Sequence, residues 1–492
     1  MTQTTSATAT AVPADGGTSR LDRHLAALGA VVVLGAIMPI LDATIVNVAV
    51  RTIGRDFHTS IATIQWVLTG YLLGYATVIP VTGWAAQRFG AKRVFIGALV
   101  LFAASSALAG SAVSVGELIA LRVVQGTGAG LITPVGQLIV AQAAGPKRMG
   151  RVMSVLGVPM LLGSMAGPVV GGLIVSSASW RWIFFINPPV ALVAIALAVR
   201  LLPADAPHSG RGGAGAASGS GAAGGRLDLR GLVLLCGGVA GITYGMSEAS
   251  TRGGFGGSLP LTLIGAGAAL VAGYALHALR LNRRGLNGRA LIDITLFRHR
   301  AFAVSMAANL MVGIALFGAL ILLPLYWQIV RGASPLATGL LLAPQAIGAA
   351  VALPLAGKIT DRVGPAFVVP AGIALGLAGL AAYTQSGTGT PYAVLAAALF
   401  VLGLGLGATF VPLMAAAYQD LPRTAIPSVT SAFNTIQRLG GSIGTTLLAV
   451  TLQSAMTRHT PSRAFDSAFW VACALTTVAL ISALLLPKGT RS

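Results

Sequence analysis

Acids are scarce in this chain of 492 residues, which holds 12 Asp and Glu against 32 Lys and Arg. Charged residues of both signs make up 9% of it, where a soluble domain has about 25%. With 55% hydrophobic residues and a mean hydropathy of +0.83, a soluble globular fold is excluded. Cysteine is nearly absent. Cys236 and Cys473 stand singly inside apolar runs, which excludes a disulfide framework and a CxxC metal site. The few aromatics lie within apolar runs rather than between arginines, so the net charge of +20 does not read as nucleic-acid binding. The first 20 residues are polar, lack the apolar core of a signal peptide and read as a cytoplasmic tail. Enzyme motifs are missing too: Gly126-x-Gly128-x-Gly130 follows no strand, no lysine closes a phosphate loop, and the six histidines have no metal spacing. The chain therefore reads as neither enzyme nor ATP-driven pump, with no cofactor and no metal.

What is present is apolar length. A helix needs about 20 mainly apolar residues to cross a bilayer, because lipid offers no partner to unpaired backbone groups. Fourteen such runs occur, near 28–50, 62–82, 94–113, 117–140, 152–175, 182–201, 230–248, 259–279, 302–329, 336–356, 366–385, 392–416, 428–453 and 467–487. An all-α integral membrane protein is expected. Basic loops stay in the cytoplasm, and an inside N-terminus places twenty-three Lys and Arg in inside segments against seven outside. Both termini are thus expected in the cytoplasm of a multi-pass cell-membrane protein. The two remaining bases, Arg122 and Arg438, lie within spans.

The chain also repeats itself. Gly83-Trp-Ala-Ala-Gln87-Arg88-Phe-Gly90 follows the second span, and Gly357-Lys-Ile-Thr-Asp361-Arg362-Val-Gly364 follows the tenth, 274 positions on. Gly126-x-Gly128-x-Gly130 ahead of Pro134 is echoed by Gly403-x-Gly405-x-Gly407 ahead of Pro412, 277 positions on. Duplicated six-helix halves are expected, as in many secondary transporters with a substrate site between repeats. The organisation reads as an N-terminal tail (1–25), a first half (26–202), a Gly/Ala/Ser-rich linker (203–228) and an inserted helix pair (229–280). A basic loop (281–300), a second half (301–487) and a tail (488–492) follow. The basic loop reads either as lying on an anionic membrane surface or as solvated.

The motifs Leu41-Asp42-Ala-Thr44-Ile-Val-Asn47, Gly83 to Arg93, Arg122-Val-Val-Gln125-Gly126, Gly163-x-x-x-Gly167-Pro168-x-x-Gly171-Gly172, Trp180-Arg181-Trp182-Ile-Phe-Phe-Ile-Asn187-Pro188 and Asn434-Thr-Ile-Gln437-Arg438 occur in this order. With them the chain resembles the fourteen-helix drug:proton antiporters of the major facilitator superfamily over nearly its whole length. The resemblance implies the major facilitator fold and makes Gly163, Gly167, Pro168 and Gly171 a hinge and seal between halves. It also implies an inside gate made by Gly83, Gln87, Arg88, Gly90, Lys92, Arg93, Asp361 and Arg362. Gln87 stands where the family usually has Asp, whereas Asp361 keeps that acid in the second half.

Of the 12 acids, Asp42 alone lies deep in a span, where a charge costs about 2.5–3.5 kcal/mol on the insertion scale. It reads as a proton carrier or as a hydrogen-bond anchor between helices, bonded to a neighbouring Asn or Arg. From their positions in the spans, Asp42 lies about 12 Å and Arg122 about 8 Å from the outer membrane face. The resemblance implies that these two helices are neighbours, so Arg122 either favours proton release from Asp42 or holds a static pair with it. The position equivalent to Arg122 in the second half is Leu399, so coupling is expected in the first half only. Candidate drug-facing residues within the spans are Gln65, Trp66, Tyr71, Gln125, Asn309, Tyr326, Trp327, Gln328, Gln345, Asn434 and Arg438. Each also reads as packing or a membrane-interface anchor. The function expected is proton-driven export of an amphipathic drug or antibiotic by a monomer in the lipid bilayer, with a metabolite importer or a non-transporting membrane sensor or enzyme as alternatives.

Overall fold

The computed structural model describes residues 17–144, 163, 167, 170–203, 205, 228–251, 254–284, 290–387, 389–419, 421–422 and 425–487, and all regular structure in them is helical. The helices are α1 (Gly17–Asp56), α2 (Ile61–Val78), α3 (Thr82–Phe89), α4 (Ala91–Gly110), α5 (Val115–Ala144), α6 (Trp182–Phe185), α7 (Asn187–Leu201), α8 (Leu229–Thr251) and α9 (Ser258–Arg283). They continue as α10 (Arg300–Ile329), α11 (Pro335–Leu341), α12 (Ala343–Val363), α13 (Pro365–Ala381), α14 (Tyr392–Ala417), α15 (Ile426–Met456) and α16 (Pro461–Leu484). A 3-10 turn, Ile79–Val81, joins α2 to α3.

Eleven helical stretches among the described residues are long and apolar enough to cross a membrane. The remaining expected spans differ for identifiable reasons. The α13 helix is apolar but has only 17 residues. The α15 helix has 31 residues, but Asn434, Gln437, Arg438 and many Ser, Thr and Gly dilute its apolar character. Of the span expected at 152–175, only Gly163, Gly167 and 170–175 are described, all helical; Pro168 and the linker from 206 to 227 lie outside the described residues.

Two groups of helices pack internally, α1, α2, α4, α5 and α7 in one and α10, α12, α13, α14, α15 and α16 in the other. Small residues permit these contacts, since lipid supplies no hydrophobic force between helices and association rests on close approach. The sequence repeat returns in the packing. A side chain on Gly126 would strike the Tyr71 carbonyl, and one on Gly403 would strike the Gln345 carbonyl. Gly130 likewise meets Tyr75 and Gly407 meets Ala349, while Gly128 meets Ala98 and Phe102 and Gly405 meets Gly372 and Gly376. Every partner is displaced by 274 and every glycine by 277, the two offsets read from the motifs. The two groups meet along α15, which packs on α3, the 3-10 turn and α5. The inserted helix α8 packs on both α2 and α15, through rings of Trp66 and Tyr244 5.2 Å apart and a bond of 3.0 Å from the Thr446 hydroxyl to the Met246 carbonyl.

The end of the bundle that carries Arg88, Lys92 and Arg93 is tied by reciprocal capping. Gly90, between α3 and α4, has φ +92°, a backbone conformation that side-chain-bearing residues rarely adopt. Asp205, beyond α7, occupies the space over Gly90 and accepts from the Lys92 and Arg93 amides at 2.9 and 3.2 Å, capping α4. Lys92 Nζ returns the contact by donating to the Val199 and Leu202 carbonyls at 2.7 and 2.8 Å. At the same end, part of the basic loop docks on the bundle: the Tyr274 hydroxyl donates to the Ile292 carbonyl and accepts from its amide, and Leu291, Ile292 and Leu296 are buried. Residues 285–289 of that loop lie outside the described residues.

Candidate functional site

Four helices converge on Asp42. It sits on α1, 1% exposed, and its Oδ2 accepts from an Arg122 guanidinium nitrogen at 2.5 Å; Arg122, on α5, is 0% exposed. One turn along α5, Gln125 donates through Nε2 to Asp42 Oδ1 at 3.0 Å and accepts at Oε1 from the same guanidinium nitrogen at 2.9 Å. The Asn187 amide, at the start of α7, donates to Asp42 Oδ1 at 3.2 Å and to the Ser106 hydroxyl of α4 at 3.0 Å. Arg122 Nε donates to the Val67 carbonyl at 3.1 Å, bringing in α2.

The direction of each bond is fixed by its neighbours. Ser106 spends its proton on the Phe184 carbonyl at 2.8 Å, so its oxygen accepts and the Asn187 atom facing it is the nitrogen. Gln125 Oε1 faces a guanidinium, which only donates, so Nε2 is the atom that faces Asp42. Asp42 thus meets three donors and no acceptor among these groups. That arrangement suits an ionised carboxylate, which can accept from all three donors at once.

The guanidinium lies 4.1 Å from the Tyr71 ring centroid and 5.7 Å from that of Phe184, with one nitrogen lacking a hydrogen-bond partner among the described residues. Aromatic faces attract a desolvated cation by about 2 kcal/mol, which offsets part of the missing bond. Tyr71 is itself held by donating to the Pro39 carbonyl at 3.1 Å.

Asn187 and Ser106 were not legible as partners of Asp42 from sequence. The segment that delivers Asn187 is tacked down along its length: the Trp180 indole donates to Asp56 at 2.9 Å, and Arg181 donates to the Gly110 and Ala112 carbonyls at 3.2 and 2.7 Å. Gly163, Gly167 and Gly171 face α1 on the other side of Asp42, against Ile37, Thr44 and Ile45.

A second cluster closes the seam between the two groups of helices at the basic end. Ser431 of α15 donates to the Ile79 and Pro80 carbonyls at 3.2 and 3.0 Å, and Asn434 donates to Gln137 of α5 at 3.0 Å. Arg438 lies over the Tyr75 ring at 4.9 Å, and Gly83 abuts the Pro427 carbonyl so closely that a Cβ there would overlap it. Gly83→Val is therefore expected to prevent full closure. Thiol labelling of a cysteine placed at the buried Ser431 should speed up in that variant; unchanged labelling would mean that the seam does not depend on this contact.

The other anticipated residues are dispersed. Gln87, Arg88, Asp361 and Arg362 are exposed at the basic end. Gln65 and Gln328 are exposed, and the Trp66 ring meets that of Tyr244 at a tilt of 38°. Asn309 is buried and donates to the Phe433 carbonyl at 2.8 Å. Tyr326 and Trp327 are enclosed among Tyr383, Tyr392, Phe465 and Phe469. Gln345 is buried and occupies the repeat position of Tyr71.

Comparison with known proteins places this geometry in a family. Residues 32–445 match the family model described as Major Facilitator Superfamily. The chain is 40% identical over 435 residues to a protein named Multidrug resistance protein B homolog from Mycobacterium tuberculosis (strain ATCC 25618 / H37Rv), covering 88% of this chain and 77% of that one. It is 31% identical over 426 residues to the Puromycin resistance protein pur8 of Streptomyces alboniger, covering 85% and 80%. The structure of the proton:xylose symporter XylE shares the fold with a TM-score of 0.60 at 16% identity, over 94% of this chain and 95% of that one. From the extent of the family match and the helical fold together, the chain belongs to the major facilitator superfamily and is a multi-pass membrane protein of transporter rather than enzyme kind.

Proposed function

We propose that this protein exports amphipathic drugs or antibiotics in exchange for protons, as a monomer that needs no cofactor beyond the proton gradient. The observation that carries the proton part is Asp42, a buried carboxylate on a membrane-crossing helix whose recorded partners all donate to it. The names of the relatives, a multidrug resistance protein and a puromycin resistance protein, support the drug part. So does the glycine face of the fifth span, set against α1 beside Asp42.

Fourteen membrane helices complete this reading: the eleven apolar ones, α13, α15 and the segment that contains Gly163, Gly167 and Gly171. They form six-helix halves over 26–202 and 301–487, with α8 and α9 inserted between them. The basic loops face the cytoplasm, and both termini lie there. The seam at Gly83, Gln137 and Tyr75 then closes the cytoplasmic side, so this conformer awaits a proton from outside. Protonation of Asp42 releases Arg122, the halves part on the cytoplasmic side, drug enters, and the proton leaves inward.

Expression in an efflux-deficient host tests this. Susceptibility to at least one amphipathic antibiotic should fall, and collapse of the proton gradient should restore drug accumulation to the level of the empty host. Export that persists after collapse would remove protons from the account.

A further inference from the structure

Between the ion pair and the seam runs an unbroken line of side chains. Asp42 holds Arg122, the Arg122 guanidinium lies 4.1 Å from the Tyr71 ring, Tyr71 and Tyr75 have ring centroids 6.3 Å apart, and the Tyr75 ring carries Arg438 at 4.9 Å. We propose that Tyr75 is the positioning residue that carries the protonation of Asp42 to the seam, its ring being the shared face between the Tyr71–Arg122 stack and Arg438 of the opposite half. This rests on the proton-coupled reading above and adds the route by which the proton acts.

The geometry favours transmission for two reasons. Tyr71 and Tyr75 stand one turn apart on α2, facing Arg122, Gly126 and Gly130, which are spaced four apart on α5. The glycines bring the two backbones into contact, so the tyrosine-bearing turn cannot slide independently of Arg122's helix. The charged group facing Asp42 is Arg122, whose guanidinium lies against Tyr71; the other partners of Asp42, namely Gln125 and Asn187, are uncharged. Asp42 is the acid of the line, paired with Arg122.

Packing alone does not account for these tyrosines. The repeat keeps the same glycine contacts in the second half, where Gly403 meets Gln345 and Gly407 meets Ala349. It replaces Tyr71 by Gln345, Tyr75 by Ala349 and Arg122 by Leu399. The same backbone approach forms without counterparts of Tyr71, Tyr75 and Arg122, so these three side chains serve something present in the first half only.

Coupling is demonstrated by a two-state element that both sites bias, and the seam is that element. Spin labels on cysteines at Ala143, at the end of α5, and Val363, at the end of α12, report its opening; both positions are exposed. In purified full-length protein in nanodiscs, the label separation should change with pH in the wild type, and Asp42→Asn should remove the change. Tyr75→Leu should also remove it with Asp42 intact, Tyr75→Phe should keep it because the ring face is retained, and Arg438→Gln should remove it from the far end. A wild-type pH response in Tyr75→Leu alongside its loss in Asp42→Asn would overturn the role of Tyr75 and leave the proton reading standing. Loss in Tyr75→Phe would also count against the ring face. An unchanged response in Asp42→Asn would remove both readings together.

Discussion

Asp42→Asn is expected to abolish efflux against a concentration gradient, the largest functional loss any single change should cause here. The asparagine has nearly the shape of the aspartate, but it neither binds nor releases a proton in the working range. It also turns one atom into a donor. With Arg122, Gln125 and Asn187 all donating into this space, an amide nitrogen there faces another donor, at a cost of about 1–3 kcal/mol for a buried unpaired group. Asp42→Glu keeps the charge but lengthens the side chain within a buried network, so reduced rather than absent transport is expected. Drug-susceptibility and uphill-transport assays separate the two variants. The second half offers no substitute, since Leu399 stands at the position equivalent to Arg122 and Leu402 at that of Gln125.

The second large effect is on stability. Arg122→Leu leaves Asp42 in a fully buried position without its counter-charge, and removal of one partner of a buried ion pair costs about 3–5 kcal/mol. The guanidinium bridges α1, α2 and α5 through Asp42, Val67 and Gln125, so the loss loosens three helices together. Removing both charges should cost less than removing one. The pair Asp42→Asn with Arg122→Leu is expected to recover most of the thermal stability in detergent while remaining inactive, a non-additivity that marks residues acting as a unit. Arg122→Lys keeps a charge but not the planar fork that reaches Val67, Gln125 and Asp42 at once, and should fall between. Equal melting temperatures for Arg122→Leu and the wild type would contradict a structural role for the pair.

The membrane class, most spans and the repeat were legible in the sequence because lipid imposes them: long apolar runs, bases held in loops, and glycines wherever helix backbones touch. Asp42 was legible because an acid deep in a span is rare enough to stand out, and its pairing with Arg122 because the family resemblance makes their two helices neighbours. Its neutral partners were not. Asn187 lies 145 positions from Asp42, and Ser106 is one of many serines; hydrogen bonding by such residues leaves no compositional trace. The Pro188-Pro189 pair after Asn187 was the available hint, since prolines at a helix start fix where the preceding side chain emerges. Gln125 and Tyr71, read from sequence as drug-facing, are drawn instead to the ion pair because α5 places Gln125 one turn from Arg122, with α2 laid directly on it. Asp205 read as a loop acid, and only the fold brings it onto the start of α4. Asn434 and Arg438 read as cavity residues, and only the meeting of the two halves shows them spanning a seam.

The central claim is that Asp42 carries the proton exchanged for drug. The most direct measurement is proton movement itself, followed by a pH-sensitive dye in proteoliposomes after addition of a drug identified in the susceptibility panel. The wild type should move protons opposite to the drug, and Asp42→Asn should bind the drug yet move none. Drug-driven proton movement by Asp42→Asn at the wild-type rate would contradict the claim.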